Sequence, residues 1–372
     1  MRAFLHPNLS IKMNKLFVSV IMLLFLVEFK PCYSQNPQEL KLKDFRPKSI
    51  YKVPVTVVKK AKFPVIDMHS HAFAKTEEDV ANWVKTMDEA GIAKTIILTG
   101  ATGAKFDSIY SLYSKYPERF ELWCGFDLYG YKEPGWLEKA IKELERCYKL
   151  GARGVGELSD KGAGLRYSAG FGPHINDPLI KPLIKKCGEL HMPVNIHVAD
   201  PYWMYLPMDS TNDGLMNAYT WKIDSTKEGI IGHAQLIKTL EDVVRDNPNT
   251  TFIACHFANC EYNLSILGSL LNKYPNLYAD VSARFGETST IPRYMASFYD
   301  KNQDKLLYGT DNIPEADMYE ITFRILETLD EHFYYYRFYH WPSYGFGLND
   351  NILKKVYQSN AKKILKNATS KQ

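Results

Sequence analysis

The sequence predicts an α/β fold, a single distorted (β/α)8 (TIM) barrel with a C-terminal helical extension, on three observations. From Pro64 onward, short β-like runs alternate with longer amphipathic stretches. There are eight of each, and eight successive βα units close into a barrel. The span from Val65 to Asp311 is 247 residues, close to the ~250 typical of such barrels.

The predicted strands are Val65–His69, Lys94–Thr99, Phe120–Phe126, Ala152–Glu157, Pro193–Val198, Thr251–His256, Leu277–Val281 and Lys305–Thr310. Between and after them the apolar spacing predicts helices over Glu77–Ala90, Phe106–Tyr116, Trp136–Leu150, Leu179–Leu190, Leu236–Asp246, Tyr262–Tyr274, Ile291–Asp300 and Asp317–Leu329. Gly91, Gly151 and Pro193 punctuate the helix exits. A doubly wound open sheet is the competing architecture, but no strand runs into a G-x-G-x-x-G turn. The nearest stretch, Gly151 to Gly156, has the wrong spacing and opens no helix.

With 45% hydrophobic and 24% charged residues, the composition excludes a disordered or collagen-like chain. Lys15 precedes an apolar run from Leu16 to Val27, and Cys32-Tyr33-Ser34 offers small residues around a cut before Gln35. That is the layout of a secretory signal peptide over residues 1–34, with residues 1–12 readable as a misplaced start. The run falls short of the ~20 residues a membrane span takes, so a retained anchor is the weaker alternative. Residues 35–63 read as an extended lead-in, and residues 64–366 as the barrel with its C-terminal helices. Loss of residues 1–34 lowers the formal charge from +4 to +1, and nothing in that balance points to nucleic acid. The predicted location is periplasmic or secreted. The remaining cysteines, Cys124, Cys147, Cys187, Cys255 and Cys260, are odd in number and scattered, so they read as buried thiols. Cys255 and Cys260 lack the second pair that a structural zinc site would need.

Two insertions follow the fourth and fifth strands. Ser159–Pro178 is glycine-rich and carries Arg166, Tyr167 and His174; Ala199–Gly232 is aromatic, with Tyr202, Trp203, Tyr205 and Trp221. Long loops at that end of a barrel shape active sites.

The chemistry lies at the strand ends. His69-Ser70-His71 ends the first strand, and alternation turns both imidazoles to one face. Glu157 ends the fourth strand, His197 the fifth and His256 the sixth, while Asp311 follows the eighth. Each alone reads as a hydrogen-bonded core histidine or a helix cap. Six such groups at five strand ends converge on the barrel mouth and suit a divalent metal, zinc first, with manganese, iron or cobalt behind it. A bound metal makes hydroxide available near pH 7 and polarises a carbonyl. A carboxylate such as Asp311 can take and return the proton. Arg284 and Arg166 are candidates for holding an anionic substrate, or for structural ion pairs.

The order of these groups resembles the amidohydrolase superfamily. Ile66-Asp-Met-His-Ser-His71, Ala254-Cys-His-Phe-Ala-Asn259, Tyr308-Gly-Thr-Asp-Asn312 and the tail Gly347 to Ala361 are similar to its amidohydrolase-2 branch, over about Pro64 to Leu365. The resemblance implies one or two metal ions, with His69, His71, His197 and Asp311 as ligands and Asp311 also handling protons. His256 would be a catalytic group or a second-metal ligand. Glu157 fits the glutamate type of fourth strand, and Lys161 lies too far past that strand to be a bridging lysine.

The resemblance leaves two reactions. The first is hydrolysis of an amide, ester or lactone, which export favours. The alternative is non-oxidative decarboxylation of an aromatic or unsaturated acid. A barrel kept as a non-catalytic binding protein is the reading of another class, but none of the expected metal-site residues is missing. The expected partner is a small-molecule substrate, with no membrane contact after signal cleavage and homo-oligomer formation left open.

Overall fold

The computed structural model describes residues 36–165, 172–218, 221–337 and 339–369; the expected signal segment, Arg166 and Tyr167 fall outside them. Residues up to Phe45 form a unit of their own, whose described part is turn and extended chain with a 3-10 turn at Leu42–Asp44. The second unit, Arg46–Gln372, holds everything that follows.

Eight parallel strands run in chain order: β1 (Val65–Ser70), β2 (Ile92–Leu98), β3 (Phe120–Trp123), β4 (Val155–Asp160), β5 (Val194–Val198), β6 (Phe252–Ala254), β7 (Leu277–Asp280) and β8 (Leu306–Leu307). β1 to β3 form one ladder and β4 to β8 another. Backbone hydrogen bonds stitch both seams. Cys124 N–H reaches Gly154 O (3.0 Å) and Gly156 N–H reaches Cys124 O (2.8 Å) between β3 and β4. Met68 N–H reaches Tyr308 O (2.9 Å) and Asp311 N–H reaches His69 O (2.8 Å) between β8 and β1. The barrel therefore closes.

The outer helices are α1 (Glu77–Ala90), α2 (Gly103–Tyr113), α3 (Trp136–Leu150), α4 (Lys181–Glu189), α5 (His233–Asp246), α6 (Leu264–Lys273), α7 (Pro292–Asn302) and α8 (Ala316–Glu327). Amphipathic spacing alone places α1 and α3 at these bounds, because their buried residues (Val80, Trp83, Met87 and Ala90; Trp136, Ala140, Leu144 and Cys147) recur at helical intervals. Gly91 and Gly151 end them with positive φ, 82° and 135°. Among the described residues, no helix is long and apolar enough to cross a membrane.

β8 is far shorter than the predicted Lys305–Thr310, and the C-terminal helix explains why. Tyr308 N–H donates to Val356 O (3.0 Å) and Asn360 Nδ2 to Leu306 O (2.9 Å), so groups of the tail satisfy that edge. Ala361 and Ile364 then pack under Ile66, Met68, Leu98 and Ile253. The extension is the floor of the barrel rather than an appendage. The lead-in is pinned to the wall, as Thr56 N–H and Oγ1 both donate to the Asp330 carboxylate at 2.7 Å.

At the opposite end, β5 to β8 finish in left-handed backbone. Ala199 (φ 62°), His256 (57°), Ala283 (54°) and Asp311 (52°) all lie there, a conformation costing a non-glycine residue ~1–3 kcal/mol. This backbone ends the predicted sixth strand early and turns His256 and Asp311 into the mouth.

Candidate metal centre

β1 delivers His69 and His71, β4 Glu157 and β5 His197, while the left-handed turns after β6 and β8 deliver His256 and Asp311. All six predicted groups meet. His71 Nε2 lies 3.0 Å from Asp311 Oδ1, His69 Nε2 3.7 Å from the same oxygen, and His256 Nε2 3.7 Å from Asp311 Oδ2. Glu157 faces them from β4, with Oε1 3.5 Å from His256 Nε2 and 3.9 Å from His69 Nε2. Gly309 makes this approach possible, since a Cβ there would sit 2.8 Å from His69 Cβ and 3.2 Å from Ser282 Cβ.

Groups behind the histidines aim them. His69 Nδ1–H donates to buried Asp280 (2.9 Å), His71 Nδ1–H to Leu98 O (2.8 Å) and His256 Nδ1–H to Ser282 O (3.0 Å). Each ring thereby turns Nε2 toward the shared space. His69 Nε2 is buried and has no hydrogen-bond partner among the described residues. An orphaned imidazole nitrogen inside a ring of carboxylates is where a cation fits. Two donor groups, His69 with His71 and Asp311, and His69 with Glu157, Cys255 and His256, each lie within 4.8 Å.

The electrostatics agree. Burial opposes a charge on His69, yet Asp280, Asp311 and Glu157 outweigh it and lift its pKa to about 10. Burial likewise opposes ionisation of Asp311, but His69, His71 and His256 hold its carboxyl below the usual range. An excess of negative charge that retains protons also retains a divalent cation, which displaces them. Burial, with the His197, His69 and Arg284 charges, pushes His256 below the ordinary imidazole value despite its bond to Glu157. Cys255 stands apart from the ligand chemistry: its Sγ–H donates to Asn195 Oδ1 (2.8 Å), and burial raises the thiol well above its ordinary value. All five cysteines from Cys124 to Cys260 are free and buried.

His197 is held differently. Nδ1–H donates to Glu157 Oε1 (2.6 Å) and Nε2–H to Asp200 Oδ1 (3.3 Å), and Asp200 also accepts from Lys161 Nζ (2.9 Å). His197 can ligate only by giving up one of these bonds. Asp311 does not cap α8, whose N-cap is Glu315. His174 stays out of the cluster, pairing with Asp160 Oδ2 at 2.7 Å.

Beside the cluster lies a cavity of about 540 Å³ with His197, His256 and Asp311 at one end. Trp203, Met204 and Trp221 of the fifth loop form one wall, and Met318, Ile321 and Ile325 of α8 another. Tyr335 and Tyr339 close it from a hairpin pinned by the Phe333–Ser343 backbone pair. Sequence reasoning missed that hairpin, although the aromatic run from Phe333 to Trp341 marks it. It missed Asp280 too, which the strand-end rule finds when applied to the seventh strand.

The amidohydrolase family model matches residues 66–366. The chain belongs to the amidohydrolase family. Among curated proteins no sequence matches it. The fold is shared with solved structures at low identity. A 2,6-dihydroxybenzoate decarboxylase from Rhizobium is 16% identical, with a TM-score of 0.54, over 82% of this chain and 99% of the other. A dihydroxybenzoic acid decarboxylase from Polaromonas sp. JS666, with bound manganese and 2-nitroresorcinol, is 16% identical, with a TM-score of 0.51, over 82% and 97%. A 5-carboxyvanillate decarboxylase from Novosphingobium aromaticivorans, complexed with manganese, is 15% identical, with a TM-score of 0.50, over 84% and 100%.

Proposed function

We propose that this amidohydrolase-family protein is a divalent-metal-dependent, non-oxidative decarboxylase of a small aromatic or unsaturated carboxylic acid. The observation that carries the reading is the union of the His–carboxylate cluster with a cavity walled by Trp203, Met204, Phe285 and the apolar face of α8. Such walls take a flat ring out of water. The decarboxylases that share the fold support the same choice. His69, His71 and Asp311 would hold the cation, with Glu157 and His197 opposite; the donor set suits zinc or manganese. When bound, the cation supplies a Lewis acid for the substrate's oxygen atoms.

The chain's own residues do the rest. The carboxylate loses its charge as the C–C bond breaks, so apolar walls that strip its water favour that step. The electron pair stays on the carbon, which takes a proton as carbon dioxide leaves. Asp311 and His256, at one end of the cavity, hold no spare proton of their own and are placed to relay one from solvent water to that carbon. Hydrolysis of an amide, ester or lactone is the second reading. It is favoured by the ionised state of Asp311, which suits a base that takes a proton from water.

Incubation of the metal-loaded protein with hydroxylated benzoates in deuterated water should release carbon dioxide and leave deuterium at the vacated carbon. Oxygen from labelled water entering the acid product of a lactone, ester or amide, with no carbon dioxide from any acid, would establish hydrolysis instead. We infer export from residues 15–34 alone; N-terminal sequencing of the natural protein should begin near Gln35, and a chain retaining Met13 would refute it.

A further inference from the structure

The extended segment ahead of the barrel is bonded to one part of the wall. From Pro47 to Lys60, the only backbone group with a hydrogen bond among the described residues is Thr56 N–H, which donates to Asp330 Oδ2 (2.7 Å). Thr56 Oγ1 donates to the other oxygen of the same carboxylate (2.7 Å). Ser49 Oγ hydrogen-bonds His332 Nδ1 (3.1 Å), and the Tyr51 ring meets the His332 ring edge-on, 4.7 Å between centroids. Arg46 lies over the Tyr336 ring, 5.5 Å from its centroid. Ile50, Val55 and Val57 stay exposed, so apolar burial does little to hold the segment. Fixing an extended chain costs backbone entropy, and these contacts are what offset it.

Asp330 is where the segment meets the cavity wall. Only 4% exposed, it also accepts from Arg324 Nε (2.8 Å) on α8, whose Ile321 and Ile325 line the cavity. Its backbone O accepts from Gly345 N–H (2.8 Å), just past the aromatic hairpin. The Arg324 guanidinium lies 3.9 Å over the Phe333 ring at the base of that hairpin. Tyr335, Tyr339 and Ser343 of the hairpin line the same cavity. One residue thus joins the lead-in, α8 and the hairpin, through charge-assisted bonds that are stronger than neutral ones. A lone hairpin is marginally stable, so outside support of this kind decides where its tyrosines stand.

We propose that Thr56 and Asp330 are positioning residues for the substrate: the lead-in, clasped by the Asp330 carboxylate, fixes the aromatic hairpin over the cavity and so sets the affinity for the acid. The inference rests on the aromatic or unsaturated acid reading of that cavity. Residues 46–56 precede the stretch shared with the family, 66–366, so the clasp is an addition to the barrel. It acts through Tyr335 and Tyr339 and bonds to none of the groups that would hold the cation. Its loss should therefore weaken binding of the acid and leave metal binding alone. Linkage makes the effect reciprocal, since an acid bound in the cavity tightens the clasp by the same factor.

Titration calorimetry on the manganese-loaded full chain with benzoate, salicylate and cinnamate tests this. Thr56→Val combined with Ser49→Ala removes both side-chain hydrogen bonds and keeps the backbone one. It should weaken whichever acid binds the parent by ~3–10-fold, with manganese affinity and circular dichroism unchanged. Thr56→Ser, which keeps the hydroxyl, should bind as the parent does. Hydrogen exchange supplies the reciprocal readout: the acid should slow exchange of the Thr56 amide in the parent, and by less in the double variant. Parental affinity in the double variant, an acid that leaves Thr56 exchange unchanged, or a Thr56→Ser chain that behaves like the double variant would overturn the proposal. Weaker acid binding together with lost manganese would also overturn it, because the clasp would then support the fold as a whole. No binding of any of the three acids to the parent would instead overturn the acid reading on which the proposal rests.

Discussion

The two halves of the barrel mouth use the same residue types in different ways. At the β8–β1 seam, His69 and His71 are oriented from behind, by Asp280 and a backbone carbonyl, and both turn Nε2 toward Asp311. On the β4–β5 side, His197 meets a carboxylate at each nitrogen, Glu157 and Asp200, and Lys161 caps the chain. The seam is arranged in advance for a cation, whereas the β4–β5 side is neutralised internally and has to exchange a bond before it can ligate. Ligand-type residues at a strand end are therefore not equivalent. What stands behind each ring decides which nitrogen is offered.

The largest effect that separates the halves should come from Asp311→Asn. Its carboxylate touches His71, lies near His69 and His256, and opens onto the cavity. Turnover should fall ~10²–10⁴-fold, the range for a lost proton-transfer group. The thermal midpoint should hold, because Glu315 rather than Asp311 sits at the start of α8. Activity has to be read at saturating divalent ion, since an anionic ligand is lost as well. An Asn variant with parental turnover would remove the proton role from the seam.

Much of this was legible in the sequence, for a definite reason. A parallel barrel brings every strand end to one rim, so His69, His71, Glu157, His197, His256 and Asp311 could be grouped without knowing any distance. Asp200 and Asp280 were not given roles that way: Asp200 lies past its strand end, three residues after the His197 it holds, and Asp280 on β7 reaches His69 on β1, a strand it does not pair with. The cavity wall was harder still. Ile321, Ile325 and Tyr339 lie far along the chain from most of the cluster they enclose, and Tyr339 belongs to a hairpin with no strand-like period. The short β8 was illegible because tail residues near Val356 and Asn360 replace its ladder. The pairing of His174, in the insertion after the fourth strand, with Asp160 is invisible in one dimension too.

A paired substitution sharpens the contrast at intermediate magnitude. Asp280 accepts from His69 Nδ1–H, His256 N–H and Ser282 Oγ–H, so it fixes two histidines at once. Asp280→Asn should weaken manganese or zinc affinity ~10–100-fold, as loss of such a partner does. Asp200→Asn should cost less than about tenfold, because Glu157 still holds His197 from its other nitrogen. Competition with a metallochromic chelator measures both. Equal losses, or a larger loss for Asp200, would break the distinction between the halves.

The smallest effect should come from Thr76, only five residues beyond His71 yet part of the wall rather than the mouth. Its side chain accepts from Asp79 N–H (3.1 Å), and Asp79 Oδ2 accepts from Thr76 N–H (2.9 Å), a reciprocal box that starts α1. That helix buries Val80, Trp83 and Met87 against the barrel. Thr76→Ala leaves one helix N–H without its side-chain acceptor, at a cost of about 1 kcal/mol. His71 keeps its own anchor, because Nδ1–H donates to Leu98 O on β2 and not to anything in α1. Denaturant unfolding should therefore show the loss, while metal affinity and turnover stay at parental values. A fall in metal affinity with Thr76→Ala would mean that the entry to α1 helps to aim His71, and the pre-arranged half of the mouth would then extend into the wall.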